Sequence, residues 1–310
     1  MLKQVSSKSF ATRLKENFLR HKSLYLISIP VIVFYLVFRY LPIAGNVIAF
    51  QKYRPGLGVL GSKFVGWDNF KSFIHDPFAA RTIKNTIIIN LLQIVFGFPA
   101  PIILALLLNE LRRPLYKRVL QTASYLPHFI SMVVVAGMIK DFTASDGIIT
   151  DLCVMFGMER QSMLGNVNLY RTIYIASGVW QGVGWGSILY LATISTADPA
   201  LYEAAMIDGA NRWQQMVHVT LPVILPIMVV QLILRLGSIM SEGSEKTLLL
   251  YSPLVYEKAD IISTYEYRRG LIEMDFSYGA AVGLFNSFVN IILLVTVNRI
   301  ARKLSNESLW

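Results

Sequence analysis

The sequence is poor in charge and in cysteine. Of its 310 residues, 15% are charged and 54% are hydrophobic, whereas a water-soluble domain carries about 25% charged residues. A chain this apolar is predicted to lie in a membrane rather than to fold as soluble domains. The single cysteine, Cys153, excludes an internal disulfide framework and a cluster of thiolate metal ligands.

Nucleotide and metal signatures are also missing. No segment matches the G-x-x-x-x-G-K-[ST] phosphate loop, so the chain is not expected to bind ATP in that way. The glycines of Gly56–Gly61 spell G-x-G-x-x-G, but they follow Arg54-Pro55 in a predicted outer loop without a βαβ unit, which excludes a dinucleotide site. The histidines share no metal-ligand spacing. No cofactor is therefore predicted in this chain.

Long uncharged runs are what the sequence has in place of charge. A helix that crosses a bilayer needs about 20 apolar residues, and six runs approach or exceed that length. The runs are 24–38, 85–109, 119–139, 172–197, 213–234 and 276–298. They predict an all-α integral membrane protein with six transmembrane helices.

The first run follows a basic segment that resembles the start of a signal peptide. No small-residue cleavage site comes after the run, and Arg39 and Tyr40 stand there instead. We therefore predict an uncleaved first span, with a cleaved signal as the alternative.

The net charge of +10 could indicate a nucleic-acid partner or a membrane orientation. If the N-terminus is inside, the inner segments 1–23, 110–118, 197–221 and 299–310 hold 14 Lys and Arg in 69 residues. The outer segments 51–84, 140–171 and 241–276 hold 13 in 102 residues. This bias follows the positive-inside rule and predicts that both termini are cytoplasmic. Bases scattered at helix ends lack the concentrated face of a nucleic-acid site, so no nucleic-acid partner is expected.

The third inner segment has the signals of an ordered structure. Asp198 is a favourable N-cap, Pro199 fits the first helical position, and Gly209 is placed for a left-handed cap. A second short helix over 211–219 is predicted to precede the fifth span, which opens at Leu221-Pro222. The segment is therefore predicted to be a helix–turn–helix on the cytosolic face.

This segment resembles the EAA loop of the permeases of ABC importers. Glu203-Ala204-Ala205, Gly209 and Val219-x-Leu221-Pro222 have the family spacing, and the one departure is valine where the family has isoleucine. Further matches to the sugar-permease version are Asp208, Ala210, Pro226 and the segment 64–70 (FVGWDNF). The resemblance extends from about Tyr25 to Arg302.

The resemblance implies the type I (MetI-like) permease fold and a transport subunit rather than an enzyme. The implied solute is a carbohydrate, such as the oligosaccharides or polysaccharide fragments that Gram-positive bacteria import. ATP and Mg would be bound by two partner ATPase subunits, and an extracellular solute-binding lipoprotein would dock on the outer loops, especially 51–84 and 241–276. Because six spans are few for a whole pathway, we expect a second permease subunit, and the resemblance favours a different chain.

Two alternatives stay open at this point. One is a permease of the same kind for a solute that is not a sugar. The other is an intramembrane enzyme, for which Asp141, Asp146 and His128 would be the candidate catalytic residues.

The resemblance places the ATPase-coupling surface on the helix–turn–helix. Alanine and glycine side chains carry little bulk and would let the surface seat deeply in a partner's cleft, while two acids could pair with bases there. The predicted coupling residues are Glu203, Ala204, Ala205, Asp208, Gly209, Leu221 and Pro222.

Polar groups within the predicted spans mark a candidate solute path, because such groups are costly unless they face a cavity or a partner. At 1.5 Å per residue, Trp185 and Arg235 lie roughly 18–20 Å above the inner helix ends, and Gln93 and Asn286 lie roughly 14 Å below the outer ends. All four therefore share a central layer. Together with the resemblance, this layer favours Gly178, Gln181, Gly182, Trp185, Arg235, Ile239 and Glu242, with Tyr125, His128 and Ser131 as further candidates.

Each of these residues also has a simpler explanation. Glycines can serve close helix packing, and amides and aromatics can hydrogen-bond between helices or mark interfaces. Arg235 could contact an acidic sugar or could be neutralised by an acid of the partner subunit.

The predicted domain organisation follows the spans. A basic cytoplasmic tail (1–23) precedes the first transmembrane helix and outer loop (24–80). A five-helix permease core (81–300) contains the coupling loop (198–222), and a short cytoplasmic tail (301–310) ends the chain.

Overall fold

The computed structural model describes residues 21–241 and 243–305, with side chains described as far as residue 303. Within these ranges the chain is helical apart from loops and one small antiparallel sheet of two strands, β1 (Gln51–Lys52) and β2 (Lys63–Phe64). The all-α class predicted from the uncharged runs is confirmed.

One long helix opens the described chain, and short elements connect it to the next long stretch. The helices of this part are α1 (Lys22–Phe50), α2 (Gly58–Gly61), α3 (Asp68–Ile74), α4 (Ala79–Gly97) and α5 (Pro99–Glu110). α1 contains a π turn at Leu36–Tyr40 and ends in a 3-10 turn at Asn46–Phe50. α4 and α5 follow each other directly and form one stretch.

The remaining chain alternates long helices with short ones. Its α-helices are α6 (Pro114–Tyr125), α7 (Met132–Phe142), α8 (Ile148–Met155), α9 (Tyr170–Ile194), α10 (Pro199–Ile207), α11 (Arg212–Gln215), α12 (Leu221–Gly237), α13 (Ser244–Leu250), α14 (Tyr256–Ala259), α15 (Ile262–Tyr267) and α16 (Phe276–Ser305). Short 3-10 turns lie at Leu126–Phe129, Met163–Gly165 and Pro253–Val255, and π turns at Met216–Thr220 and Arg268–Ile272.

Four helical stretches in the described part of the chain are long and apolar enough to cross a membrane. They are Lys22–Phe50, Ala79–Glu110, Arg212–Gly237 and Phe276–Lys303, and a bent pair made of α6 with the following 3-10 turn and α7 would be a fifth. α9 is also long, with 25 residues, but its glycines, serines and glutamine dilute its apolar character. The predicted count of six spans therefore stays a prediction.

The third predicted span, 119–139, is not one continuous helix. The chain bends by 100° between Phe129 and Met132, because Ile130 and Ser131 adopt extended backbone angles. The Ser131 hydroxyl accepts a hydrogen bond from the Val134 N–H at 3.4 Å and so caps the start of α7. The third predicted span is therefore bent and not a single continuous helix.

The fifth predicted span begins earlier than expected. Its helix runs without a break from Arg212 to Gly237, and the predicted opening at Leu221-Pro222 lies inside it. The π turn at Met216–Thr220 comes immediately before these residues. Since proline has no N–H to donate, a change in the hydrogen-bond pattern here lets the helix continue past it.

α9 is the central helix, and it packs along α5, α4 and α6. Glycines make this close approach possible, as the packing explanation predicted. A Cβ on Gly184 would collide with the Ser124 carbonyl oxygen, and one on Gly186 would lie 2.9 Å from Pro101. By contrast, α1 is exposed from Lys22 to Val47, so lipid or another subunit must cover it.

The segment 64–70, which contributes to the family resemblance, packs against the C-terminal end of α1. The Asn69 amide donates to the carbonyl oxygens of Ala49 at 2.7 Å and Gln51 at 2.9 Å. Trp67 and Phe70 pack their rings against Phe50, with centroids 5.3 and 5.2 Å away.

The segment 241–276 folds back onto the outer ends of α4 and α9. Asp260 has no exposed surface, and its carboxylate binds the Arg268 guanidinium at 2.6 Å and accepts a hydrogen bond from Thr264 at 2.8 Å. The Asn85 amide donates to the Asp260 carbonyl oxygen, and Arg171 donates to the Asn85 side chain at 2.7 Å. These residues form an ordered layer of paired charges at the N-terminal ends of α4 and α9, which is called the outer layer here after its predicted side of the membrane.

Candidate functional site

A cavity of about 400 Å³ opens beside α9 at the bend between α6 and α7. Four predicted path residues line it, together with residues of α4 and of the segment after α12. The lining residues are Asn90, Gln93, His128, Ile130, Met132, Tyr174, Gly178, Gln181, Gly182, Gly243 and Lys246. The structure therefore brings Gly178, Gln181, Gly182 and His128 to one place.

Lys246 brings a positive charge to this cavity, and it was not among the path residues predicted from the sequence. Its ammonium donates to the Tyr174 carbonyl oxygen at 2.7 Å and lies 4.5 Å from the centre of the Tyr174 ring. α13, which carries Lys246, lies outside the helical stretches that could span a membrane. Burial lowers the pKa of Lys246 to about 7, because the charged form loses its water.

Gln93 connects Lys246 to the predicted cation Arg235. A Cβ built on Gly178 would lie 2.5 Å from the Gln93 amide nitrogen and 3.1 Å from the Lys246 ammonium. A Cβ built on Gly97 would lie 3.5 Å from the same amide nitrogen and 3.8 Å from a guanidinium nitrogen of Arg235. Gln93 is therefore close to both cations, and the glycines leave room for these side chains. Gln93 and Lys246 line the cavity, whereas Arg235 is not among the lining residues.

An aromatic stack borders the cavity at the bend. The His128 ring lies flat on the Trp185 indole, with centroids 4.5 Å apart and planes 5° from parallel, and Phe129 meets the indole edge-on at 5.8 Å. Trp185 remains 48% exposed. An exposed aromatic face of this kind can stack on the apolar face of a sugar ring.

The other predicted path residues lie elsewhere. Tyr125 ends α6 beside Gly184, and Ser131 caps α7. Ile239 is buried in a core cluster with Phe73 and Tyr265. Glu242 lies outside the described residues.

Asn286, which the depth estimate placed in the same layer, lines a separate cavity of about 370 Å³ with Ser263 and Glu266. Depth along a helix does not specify the face on which a side chain lies.

The coupling loop has the local geometry that its sequence predicts. The Asp198 side chain accepts from the Ala200 N–H at 2.9 Å, and Gly209 has a φ of +79°. The Ala210 N–H donates to the Ala205 carbonyl oxygen at 2.9 Å, which closes the left-handed cap. Asn211 then starts the next helix with a capping box, which was not predicted.

Side-chain contacts fix this loop to the membrane helices. The Tyr202 hydroxyl lies 3.0 Å from the Thr220 hydroxyl, and Gln215 donates to the Ala210 carbonyl oxygen at 2.8 Å. Arg212 pairs with Glu110 at the end of α5, at 3.4 Å. A displacement of the loop would therefore be transmitted directly to α5 and to the helix that continues into α12.

The loop nevertheless leaves its own apolar surface uncovered. No residue of α10 is buried, and Ile207 is 86% exposed and Trp213 69% exposed. Of the predicted coupling residues, Glu203, Ala204, Asp208, Gly209 and Pro222 are exposed, and Ala205 and Leu221 are partly buried. An ordered loop with an exposed apolar surface is a plausible docking surface for another protein.

A second open cleft, of about 610 Å³, lies in the outer layer. Three arginines line it, namely Arg81, Arg268 and Arg269. Asp76 also lines it and accepts hydrogen bonds from the hydroxyls of Tyr265 at 2.5 Å and Tyr278 at 3.0 Å. Burial raises the pKa of Asp76, but these hydrogen bonds, one from the Phe78 N–H and the Arg269 charge outweigh it, so the pKa lies below its ordinary value of 3.8.

Comparison with known proteins agrees with this geometry. The pattern of the family described as "Binding-protein-dependent transport system inner membrane component" matches residues 97–306. The chain belongs to this family. It is 43% identical to Protein LplB of Bacillus subtilis (strain 168), over 94% of this chain and 92% of the relative. It is 42% identical to the polygalacturonan/rhamnogalacturonan transport system permease protein YteP of the same organism, over 96% of this chain and 93% of the relative.

Solved structures resemble this transport component along almost its whole length. A crystal structure of a bacterial ABC transporter involved in the import of the acidic polysaccharide alginate matches with a TM-score of 0.87 and 39% identity, over 94% of this chain and 99% of that chain. The bacterial alginate ABC transporter in complex with an alginate pentasaccharide-bound periplasmic protein matches with a TM-score of 0.88 and 39% identity, over 96% and 100%.

These matches confirm the permease fold and the transport function that the EAA spacing implied, and they place the chain in a membrane. Its relatives are transport permeases and not enzymes, so the intramembrane enzyme is no longer supported. Asp141 and Asp146, its candidate catalytic acids, are exposed.

Proposed function

We propose that this chain is one permease subunit of an ATP-driven importer for a carbohydrate, either an oligosaccharide or a polysaccharide fragment. The carbohydrate is supported by the polygalacturonan/rhamnogalacturonan transport system to which YteP belongs and by the alginate import of the solved transporter. It is also supported by the cavity beside α9, which combines amides with the exposed Trp185 face. The proposed path runs along Gly178, Gln181, Gly182, His128, Trp185 and Arg235; Tyr125 and Ser131 shape the bend at its edge.

The coupling loop is the observation that carries this proposal. An ATP-driven importer whose membrane subunit has no phosphate loop needs a separate ATPase subunit that contacts it. Residues 198–222 form an ordered surface with exposed apolar side chains that suits such a contact. We assign this loop as the docking surface for one of two partner ATPase subunits, which bind ATP and Mg. Glu203 and Asp208 would pair with bases of the ATPase, and Ala204, Ala205 and Gly209 would allow close contact.

The outer layer would receive an extracellular solute-binding lipoprotein. The arginine-lined cleft and the folded segment 241–276 offer a charged and rigid surface there. In this arrangement both termini are cytoplasmic, as the distribution of Lys and Arg predicts. The segment limits predicted from the sequence are part of the same proposal.

A second permease subunit, a different chain, would complete the pathway. The cavity beside α9 is open on one side, and the surface of α1 from Lys22 to Val47 is uncovered in the single chain. A neighbouring helical subunit would close the cavity and cover part of this apolar surface.

Reconstitution tests the proposal. The chain would be co-expressed with its candidate sister permease and ATPase, placed in liposomes, and supplied with the binding protein and labelled oligosaccharides. We expect a stable complex and uptake that requires both ATP and the binding protein. Uptake of a non-sugar solute with no oligosaccharide uptake would contradict the carbohydrate assignment, and uptake without the ATPase would contradict the coupling assignment.

A further inference from the structure

Two cations near Gln93, Lys246 in the cavity lining and Arg235 outside it, have no acidic partner among the residues that the structure describes. No carboxylate lies within 4.0 Å of Lys246 or Arg235 in residues 21–241 and 243–303. Lys246 is only 7% exposed, and its hydrogen bond to the Tyr174 carbonyl oxygen uses one of its three donors. Two ammonium protons therefore remain for another group.

A partly buried base elsewhere in the molecule, Arg268, does have an acidic partner. In the outer layer, Arg268 is bound by both carboxylate oxygens of Asp260, at 3.2 and 2.6 Å. A buried charge without a partner is costly, so the fold neutralises Arg268 where it can. The lack of such an acid beside Lys246 and Arg235 indicates a partner from outside the described chain.

Gln93, which lies between the two cations, also has bonding capacity to spare. Its side-chain carbonyl oxygen is buried and has no hydrogen-bond partner in the described structure. Because an amide both donates and accepts hydrogen bonds, the Gln93 oxygen can accept a hydrogen bond from a sugar hydroxyl while Lys246 and Arg235 bind an anion. A sugar that carries both hydroxyls and a carboxylate satisfies all three side chains.

We propose that Lys246, Gln93 and Arg235 form an acid-selective strip that binds the carboxylates and hydroxyls of an acidic oligosaccharide, so that the transported solute contains uronic acids. The proposal rests on the proposed import of a carbohydrate and specifies its class. The strip begins at Lys246 in the cavity lining and leads past Gln93 to Arg235 on α12, and successive carboxylates of the chain would pass from Lys246 to Arg235. The anion would also stabilise the charged form of Lys246.

The test measures binding to the complete importer complex in nanodiscs, without the binding protein, so that selection by that protein does not enter. The probes are trigalacturonate and its fully methyl-esterified form, which keeps the shape and removes the charge. We expect wild type to bind the acid at least about tenfold more tightly than the ester, since a charge-assisted hydrogen bond is worth about that factor. Lys246→Met, which keeps side-chain length, should remove most of this preference, and Lys246→Arg should keep it.

Lys258→Met is the matched control. It removes the same charge from the outer surface, where Lys258 binds the Asn168 side chain at 2.6 Å outside the cavity, and should leave the preference unchanged. Arg235→Met should lower it as Lys246→Met does. The unfolding temperature of each variant complex shows whether it is folded.

The outcomes separate the two proposals. Equal binding of acid and ester by wild type, or an unchanged preference in folded Lys246→Met, would overturn the strip while the import of a carbohydrate stands. Such a result would assign the cations to an acid of the partner subunit. If inorganic phosphate or sulfate displaced trigalacturonate as effectively as unlabelled trigalacturonate does, the site would be a general anion site, and this result would also overturn the strip. No binding of either saccharide, together with no oligosaccharide uptake in liposomes, would overturn the proposed function itself.

Discussion

Replacing Gly209 by leucine tests whether the exposed loop is the contact for an ATPase. Gly209 has a φ of +79°, and a Cβ there would meet no other atom within 4 Å. Leucine therefore fits sterically within this chain, and its internal cost is the left-handed backbone, about 1–2 kcal/mol. The added side chain would project from the surface that is proposed to seat in the partner.

The loop should survive this strain. Four hydrogen bonds hold it: Gly209 N–H to Met206, Ala210 N–H to Ala205, Gln215 to Ala210, and Tyr202 to Thr220. At about 0.5–1.5 kcal/mol each, they stabilise the loop by about 2–6 kcal/mol, which exceeds the strain. We therefore expect Gly209→Leu to insert and fold normally.

The effect should be seen in coupling. A misfit of about 1.4 kcal/mol at the contact raises its dissociation constant tenfold, so with the ATPase subunit held well below saturation the solute-stimulated ATPase of the reconstituted complex should fall about tenfold. Gly157→Leu is a matched control, because Gly157 has a φ of +94° and open space but lies in an outer segment. It carries the same strain on the opposite side of the membrane and should keep full ATPase.

Two results would refute the reasoning. Full coupled ATPase in Gly209→Leu would remove this surface from the coupling contact. An equal loss in Gly157→Leu would show that backbone strain, not the partner contact, causes the defect. Gly209→Asn separates the two causes further, because asparagine tolerates the left-handed conformation and adds less bulk, so an intermediate ATPase is expected.

Two further predictions concern the outer layer. Asp260→Asn removes the fully buried carboxylate that pairs with the partly buried Arg268 and Arg81, and it should destabilise the protein by about 3 kcal/mol, the low end for breaking a buried pair. Thermal unfolding in detergent measures this, and Asp151→Asn, in an exposed pair with Arg160, should change little; equal effects would contradict the burial argument. The lowered pKa of Asp76 predicts a stabilisation that is present above its ordinary value of 3.8 and is lost as pH falls through the lower folded value. The difference in unfolding temperature between wild type and Asp76→Asn should therefore shrink below about pH 4, and a constant difference from about pH 6 to about pH 3 would contradict it.

The coupling loop was predictable because its signals are local. Asp198 caps the helix two residues later, and Gly209 ends it by its own backbone conformation, so neither depends on distant contacts. The spacing of Glu203, Gly209 and Pro222 also indicated the permease family. The π turn before Pro222 was missed, since periodicity does not show a helix that continues past a proline with a changed hydrogen-bond pattern.

The bend at residues 126–131 shows a limit of counting uncharged residues. Pro127 and Ser131 are both turn and cap formers, yet they lie within a run of 21 residues without charge. The count measures hydrophobicity and not direction. The bend matters for function because it places His128 against Trp185 at the edge of the cavity.

Lys246 could not be placed from hydrophobicity or from depth, because its position results from a reversal of the chain after α12. Gly243 has a φ of +86°, and a Cβ there would collide with the Tyr174 hydroxyl. That hydroxyl donates to the Gly243 carbonyl oxygen at 3.2 Å. The glycine therefore lets the backbone come close enough to α9 for the lysine, three residues later, to reach the cavity. Lys246, which belongs to a predicted outer segment, thus lines the cavity, and the contact between Gly243 and Tyr174 determines its position there.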